Sequence, residues 1–204
     1  MTPGKAPGVN FVRRETSTAT IIWLPETNDK GEKRISLHLS IDGGAFKPWQ
    51  PKALTSNVAQ LIQLNNDLFS VKTFDDKWQL LQLNNRGQAS LVRLQNMSSH
   101  FADVQKISNG LFAIAINDPA LRQEDDIGST WHFFRVDTKG VISPYKITGL
   151  EPGSIRKVGS WLSGFLRIIE RSANTVDEAI LTHYFHIDET NNLLPVAEVI
   201  PGFP

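Results

Sequence analysis

The 204 residues contain no cysteine, which excludes disulfides, thiolate metal sites and cysteine nucleophiles and leaves the redox compartment open. An excess of either charge is missing as well. Lys plus Arg total 21 and Asp plus Glu total 21, so no overall field steers the chain toward a phosphate backbone or an anionic lipid surface. Long apolar runs are also absent. The run Ala19 to Leu24 is interrupted at Thr20 and falls far short of the roughly 18 residues of a membrane span. The expectation is a soluble chain with no nucleic-acid and no membrane partner. Residues Met1 to Gly8 lack the apolar core of a signal peptide, although an exported protein read in mature form would begin in the same way, so localisation stays open.

What is present is one pattern in four copies. A strand of alternating apolar residues runs into an Asx-and-Gly turn in His38-Leu39-Ser40-Ile41-Asp42, Leu80-Leu81-Gln82-Leu83-Asn84, Phe133-Phe134-Arg135-Val136-Asp137 and Tyr184-Phe185-His186-Ile187-Asp188. Aligning Asp42, Asn84, Asp137 and Asp188 starts this strand, C, six residues earlier, at Ser36, Trp78, Trp131 and Thr182. Strand B precedes it within Thr18 to Trp23, Asn66 to Val71, Asn109 to Ile114 and Ser163 to Ile168. Strand A lies at Val9 to Arg13, Val58 to Leu64, Phe101 to Ile107 and Ile155 to Val158, and strand D at Phe46 to Pro51, Ala89 to Leu94, Val141 to Ile147 and Leu193 to Val199. Four short strands per unit, at a period of roughly 40 to 55 residues, are the signature of propeller blades.

Proline placement agrees with this assignment. Proline cannot donate to a strand ladder, and Pro48, Pro144 and Pro195 all fall in strand D, the outer edge of a blade. No proline falls in the predicted strands B or C. The sequence therefore predicts an all-β fold, a β-propeller of four blades of four antiparallel strands, closing on itself or forming part of a larger ring. It is read as a single domain over 1–204, with blades at about 8–54, 57–97, 101–149 and 153–200. Successive hairpins of a sandwich or open barrel are the alternative.

The turn Ser40-Ile41-Asp42-Gly43-Gly44 resembles the Asp-box, the Ser-x-Asp-x-Gly hairpin of sialidase-like propellers and other glycan-processing proteins. The resemblance covers one turn. The Thr-Trp that follows in the box is not matched in place, although Trp49 lies shortly after, and the other three turns lose the Ser. An Asp-box is structural, so the resemblance carries over no catalytic residue. A sialidase-type enzyme would need an arginine cluster and a Tyr-plus-carboxylate nucleophile, and neither Tyr145 nor Tyr184 is preferred for that role.

Other chemistry is thin. His183 and His186 are three apart on a strand and point to opposite faces, which rules out a shared metal; His38 and His132 also lie in C strands. No phosphate-binding Gly loop, zinc spacing or nucleophilic triad occurs. Trp78 and Trp131, with Phe69 and Phe112, read as packing between blades, whereas Trp49 and Trp161 depart from the repeat and are candidates for exposed aromatics.

The remaining lead is loop length. The connections between strands B and C run from Pro25 to Lys33, Asn117 to Thr130 and Ser172 to Glu178, against a short Phe74 to Lys77 in the second unit. In a propeller these loops share one face, and insertions on one face of a repeat array mark its binding face. The partner-binding residues expected there are Lys30, Glu32 and Lys33; Arg122, Glu124, Asp125 and Asp126; and Arg171, Asp177 and Glu178. The run Glu124 to Asp126 offers hard oxygens that suit Ca²⁺ but lacks the ligand spacing of a Ca²⁺ loop, so a bound Ca²⁺ stays open there and no cofactor is expected. The sequence thus points to a non-enzymatic binding module for a protein partner or extended ligand, of the kind an inhibitor or immunity-type protein would be. The alternatives are a glycan-binding lectin and a carboxylate-based glycosidase.

Overall fold

The computed structural model describes residues 9–196 apart from 15–16, 28–30, 32, 55, 85, 96, 98–99, 118–128, 152, 163 and 172–179. Among the described residues there is no helix. The chain forms four four-stranded antiparallel sheets, each a meander in chain order, which is the blade expected from the sequence. Blade 1 comprises β1 (Val9–Arg14), β2 (Ser17–Thr27), β3 (Lys33–Ile41) and β4 (Lys47–Pro48). Blade 2 comprises β5 (Val58–Gln63), β6 (Leu68–Thr73), β7 (Trp78–Leu83) and β8 (Ala89–Val92). Blade 3 comprises β9 (Asp103–Ser108), β10 (Leu111–Asn117), β11 (Ser129–Val136) and β12 (Ile142–Pro144), and blade 4 comprises β13 (Ile155–Leu162), β14 (Phe165–Arg171), β15 (Ile180–Ile187) and β16 (Leu193–Pro195).

The chain divides into two compact units, residues 1–100 and 101–204, with two blades in each. In the first unit, Ile21 and Leu37 of blade 1 pack with Val58, Phe69, Val71 and Leu81 of blade 2, and all of them are buried. In the second, Leu111, Ala113, Trp131 and Phe133 of blade 3 meet Val158, Leu166, Ile168 and Phe185 of blade 4. The period-2 apolar pattern of strands B and C supplies these faces, because alternate residues of a strand point to the same side. Trp131 is thereby a packing residue, as its place in the repeat suggests.

Turns between strands C and D follow one design in blades 2 to 4. The Asx oxygen accepts two backbone N–H groups: Asn84 Oδ1 from Arg86 (3.0 Å) and Gln88 (2.9 Å), Asp137 Oδ1 from Lys139 and Val141 (both 2.8 Å), and Asp188 Oδ1 from Thr190 (2.9 Å) and Asn192 (2.7 Å). The left-handed position three residues on is Gly87, Gly140 or Asn191, with φ of 74°, 80° and 63°. Glycine, or an Asx residue in its place, relieves the strain that a side chain meets there.

Blade 1 departs from this design, and here the sequence alignment needs correction. Asp42 and Gly43 both have positive φ, 52° and 73°, and Gly44 N–H bonds to Ile41 C=O at 3.0 Å, so this is a two-residue turn of the type that joins tight hairpins. The ladder resumes at Leu39↔Lys47 and His38↔Pro48. The corresponding pairs elsewhere are Leu81↔Leu91, Phe134↔Pro144 and Phe185↔Pro195, in which the first residue lies three before the Asx. His38 lies three before Ile41, not Asp42. Ile41 is therefore the structural counterpart of the Asx, and aligning on Asp42 puts blade 1 one residue out. A slip of one residue exchanges the two faces of a strand. The faces agree with the corrected register: Leu37 and Phe133, each four before this position, both enter the core toward the next blade.

A second correction concerns Pro25. Strand β2 continues through Pro25, which pairs with Ile35, and ends at Thr27 opposite Lys33. Proline is accommodated because the first described pair of β1 is Val9 with Ile22, so among the described residues this part of β2 has a partner on one side only.

Candidate functional site

The connections between strands B and C and those between successive blades emerge at the same end of each blade. In the first unit this end carries a groove of about 390 Å³. Its walls come from the far ends of β2 and β3 (Glu26, Arg34 to Leu37), from Pro48 to Pro51, and from Leu54 and Ser56 to Val58. Leu37, Leu54, Pro51 and Val58 are buried and form an apolar floor; Gln50 and Asn57 are exposed at the rim. Glu26 and Arg34 pair across β2 and β3 at 3.1 Å, both partly exposed. An exposed pair of this kind contributes only about 0–1 kcal/mol to stability, so the two charges remain available to a ligand at low cost.

Trp49 enters the groove because of the register just described. Its N–H donates to Leu37 C=O at 2.8 Å, as Tyr145 N–H does to Phe133 C=O at 2.8 Å and Val196 N–H to Tyr184 C=O at 2.9 Å. Trp49 and Tyr145 thus occupy one repeat position with different uses. The Tyr145 ring lies beneath the Arg135 guanidinium at 4.6 Å and its hydroxyl accepts from Leu193 N–H at 3.0 Å. Tyr145 is committed to the fold. Trp49 is half-buried against the core and lines the groove.

In the second unit the same end holds a buried carboxylate. Glu170 is 8% exposed; Oε1 accepts from Ser154 Oγ at 2.6 Å and Oε2 meets His183 Nε2 at 2.9 Å. Burial pushes this carboxyl up, but the hydrogen bonds from Ser154, His183 and Glu151 N–H together with the His183 charge outweigh it and hold it below the usual carboxylate value. Glu170 stands between the serine and the histidine. The hydroxyl therefore lies against a carboxylate, so this is not the serine–histidine order of a nucleophilic relay. The cluster closes the start of β13 onto β14 and β15.

Most of the loop residues expected to bind a partner, Lys30, Glu32, Arg122, Glu124, Asp125, Asp126, Asp177 and Glu178, lie outside the described residues. Lys33 is exposed at the start of β3, opposite Thr27, one residue from the groove wall at Arg34. Arg171 ends β14, half-buried, with its N–H bonded to Ser154 C=O at 3.0 Å. The short second loop is tied by Lys72–Asp76 (2.6 Å) and Lys77–Asp75 (2.9 Å) ion pairs. The sequence reading singled out Trp49 but missed the groove itself, whose walls span residues 26 to 58. It also missed Glu170, Arg135 and the structural use of Tyr145. Among the described residues no group of three or more His, Asp or Glu is placed to hold a metal ion, and the groove lining contains one carboxylate, Glu26.

No protein-family model matches the sequence, and no curated protein matches it. Among solved structures the chain is similar to Sqt1 from Chaetomium thermophilum, at 12% identity and a TM-score of 0.36, over 90% of this chain and 45% of that one. It is also similar to an alpha-L-arabinanase from Cellvibrio cellulosa, at 11% identity and a TM-score of 0.27, over 94% of this chain and 76% of that one. The chain thus spans under half the length of the first.

Proposed function

We propose that this chain is a non-enzymatic binding module that engages a protein partner or extended ligand through the end of the blades where the B–C connections emerge. An inhibitor or immunity-type protein is one form of such a module. The observation that carries the reading is the groove at that end, with Trp49 on an apolar floor and Arg34, Glu26, Gln50 and Asn57 around it. Clefts that combine apolar walls with a few fixed polar groups are the usual shape of a recognition site. A two-carboxylate hydrolase needs a second acid within roughly 5–9.5 Å of the first, and among the described residues of this lining Glu26 is the one acid.

The test is a photo-crosslinking residue at Gln50, with affinity capture by the full chain and by Trp49→Ala. Crosslinking to one protein, lost in the variant while the fold is retained, is the expected result. A chain that captures nothing at Gln50 would sink the proposal. The alternative is glycan binding, which the pairing of an indole with amide side chains at the rim also suits; it predicts hits on a glycan array that Trp49→Ala removes.

A further inference from the structure

The outer edges of the four blades are closed at one equivalent position in three cases and open in the fourth. In an antiparallel pair, residues alternate between positions whose N–H and C=O bond to the neighbouring strand and positions whose groups point away from it. The bonds Trp49 N–H to Leu37, Tyr145 N–H to Phe133 and Val196 N–H to Tyr184 fix this alternation in blades 1, 3 and 4. Pro48, Pro144 and Pro195, one residue earlier, then occupy positions where the N–H would point out of the sheet. Proline there forfeits no ladder bond and removes the donor that an incoming strand would use.

Blade 2 lacks this device. The bond from Asn84 N–H to Gln88 C=O sets the same alternation, so the counterpart of the three prolines is Leu91, paired with Leu81 and 41% exposed. Leu91 and Ala89 turn their N–H and C=O groups outward along β8. The segment that holds β8 carries charge of one sign. From Lys77 to Ala102 the sequence has no Asp or Glu, and Arg86 and Arg93 are exposed on either side of β8. Among the described residues neither arginine has an ion-pair partner.

We infer that β8 is a strand-addition site for an extended acidic segment of a partner protein, which pairs its backbone with Ala89 and Leu91 and sets carboxylates against Arg86 and Arg93. Main-chain bonds to a sheet edge supply affinity in such complexes, and the flanking charges supply selectivity. This surface is separate from the groove at Trp49, and either stands without the other.

The probe is an acetylated, amidated hexapeptide, Glu-Thr-Val-Thr-Val-Glu, added to the full chain, with the lysine-ended Lys-Thr-Val-Thr-Val-Lys as its counterpart. The expected result is that amide exchange at Leu91 slows at least about tenfold with the acidic peptide and is unchanged with the basic one. Leu91→Pro should abolish the binding and keep the fold, since proline occupies the same position in the other three blades. Arg93→Glu should cancel the preference between the peptides, and the double change Arg86→Glu, Arg93→Glu should reverse it. Unprotected Leu91 at saturating acidic peptide, equal protection by both peptides, or undiminished binding by Leu91→Pro would each overturn the proposal. Concentration-dependent protection without peptide would mean that a second copy fills the edge and would also overturn it. Should Leu91→Pro fail to fold, exchange at Leu91 in the unaltered chain decides.

Discussion

The guanidinium of Arg135 lies 4.6 Å from the centre of the Tyr145 ring while its Nη2 donates to Asn191 C=O at 2.6 Å and to Asn192 Oδ1 at 2.9 Å. One side chain on blade 3 therefore holds the C–D turn of blade 4. Replacing Arg135 with Ala should cost about 1–3 kcal/mol, from a charged hydrogen bond and a cation–π contact that are partly withdrawn from water. Lysine should not rescue it, because a point charge cannot serve ring, carbonyl and amide at once. Tyr145→Phe, which keeps the ring and loses the bond from Leu193, should cost about 1 kcal/mol. Urea unfolding of the three variants measures the order.

Glu170 makes stability depend on pH in one direction. Its carboxyl is held below the ordinary glutamate value of about 4.5, so its contribution is complete above the unfolded-state pKa and is lost as pH falls through the folded one. Glu170→Gln should flatten the decline in stability below about pH 4.5 relative to the unaltered chain. Near neutral pH the same variant should be less stable by about 1–3 kcal/mol, because the bonds from Ser154 and His183 to a charged acceptor are weakened. Unfolding midpoints from pH 3 to pH 7 test both limbs. Equal slopes for the two proteins would remove Glu170 from this role.

Gly87 and Gly43 separate backbone strain from crowding. Both have positive φ, but a Cβ on Gly43 would meet nothing within 4 Å, whereas one on Gly87 would lie 2.6 Å from Leu39 Cδ2 and 3.0 Å from Ile41 Cδ1. Gly43→Ala should cost about 1 kcal/mol, the strain alone. Gly87→Ala should cost more, by about 1–2 kcal/mol, reduced by whatever Leu39 gains by turning away. Comparable losses in the two variants would mean that blade 1 does not lean on this turn as described.

Pro144 should be nearly neutral to the fold. Its position carries no ladder bond, so Pro144→Ala should cost under about 1 kcal/mol, mostly through added freedom of the unfolded chain. The same change frees an outward N–H on β12. Light scattering at rising concentration should then detect more association than the unaltered chain shows, and no increase would show that the remaining shape of that edge already blocks pairing.

Strand order, the edge prolines and the turn designs of blades 2 to 4 were legible because each rests on local chemistry repeated with fixed spacing. Blade 1 misled for the same reason. Asp42-Gly43 is a strong local turn signal, and nothing near it in sequence reveals that its ladder resumes at Lys47, one residue displaced. The groove was beyond reach, since Glu26, Trp49 and Asn57 converge only after β2, β3 and the connection to blade 2 are in place. Arg135 carried a faint signal, a charge inside an apolar C strand. Glu170 did so too, as the acid at the end of Phe165-Leu166-Arg167-Ile168-Ile169.

The shared turn of blades 2, 3 and 4 makes residues 84–88, 137–141 and 188–192 interchangeable parts. Each spans the same number of residues between the same two ladder positions with a left-handed residue at the same place, so swapping one for another leaves every downstream side chain on its original face. Residues 42–46 do not belong to that set. A chimera that imports a turn from another blade directly at Asp42 would shift every later pair of β3 and β4 by two residues, moving Trp49 from opposite Leu37 to opposite Leu39, and the groove would lose its aromatic wall while the rest of the chain kept its sequence.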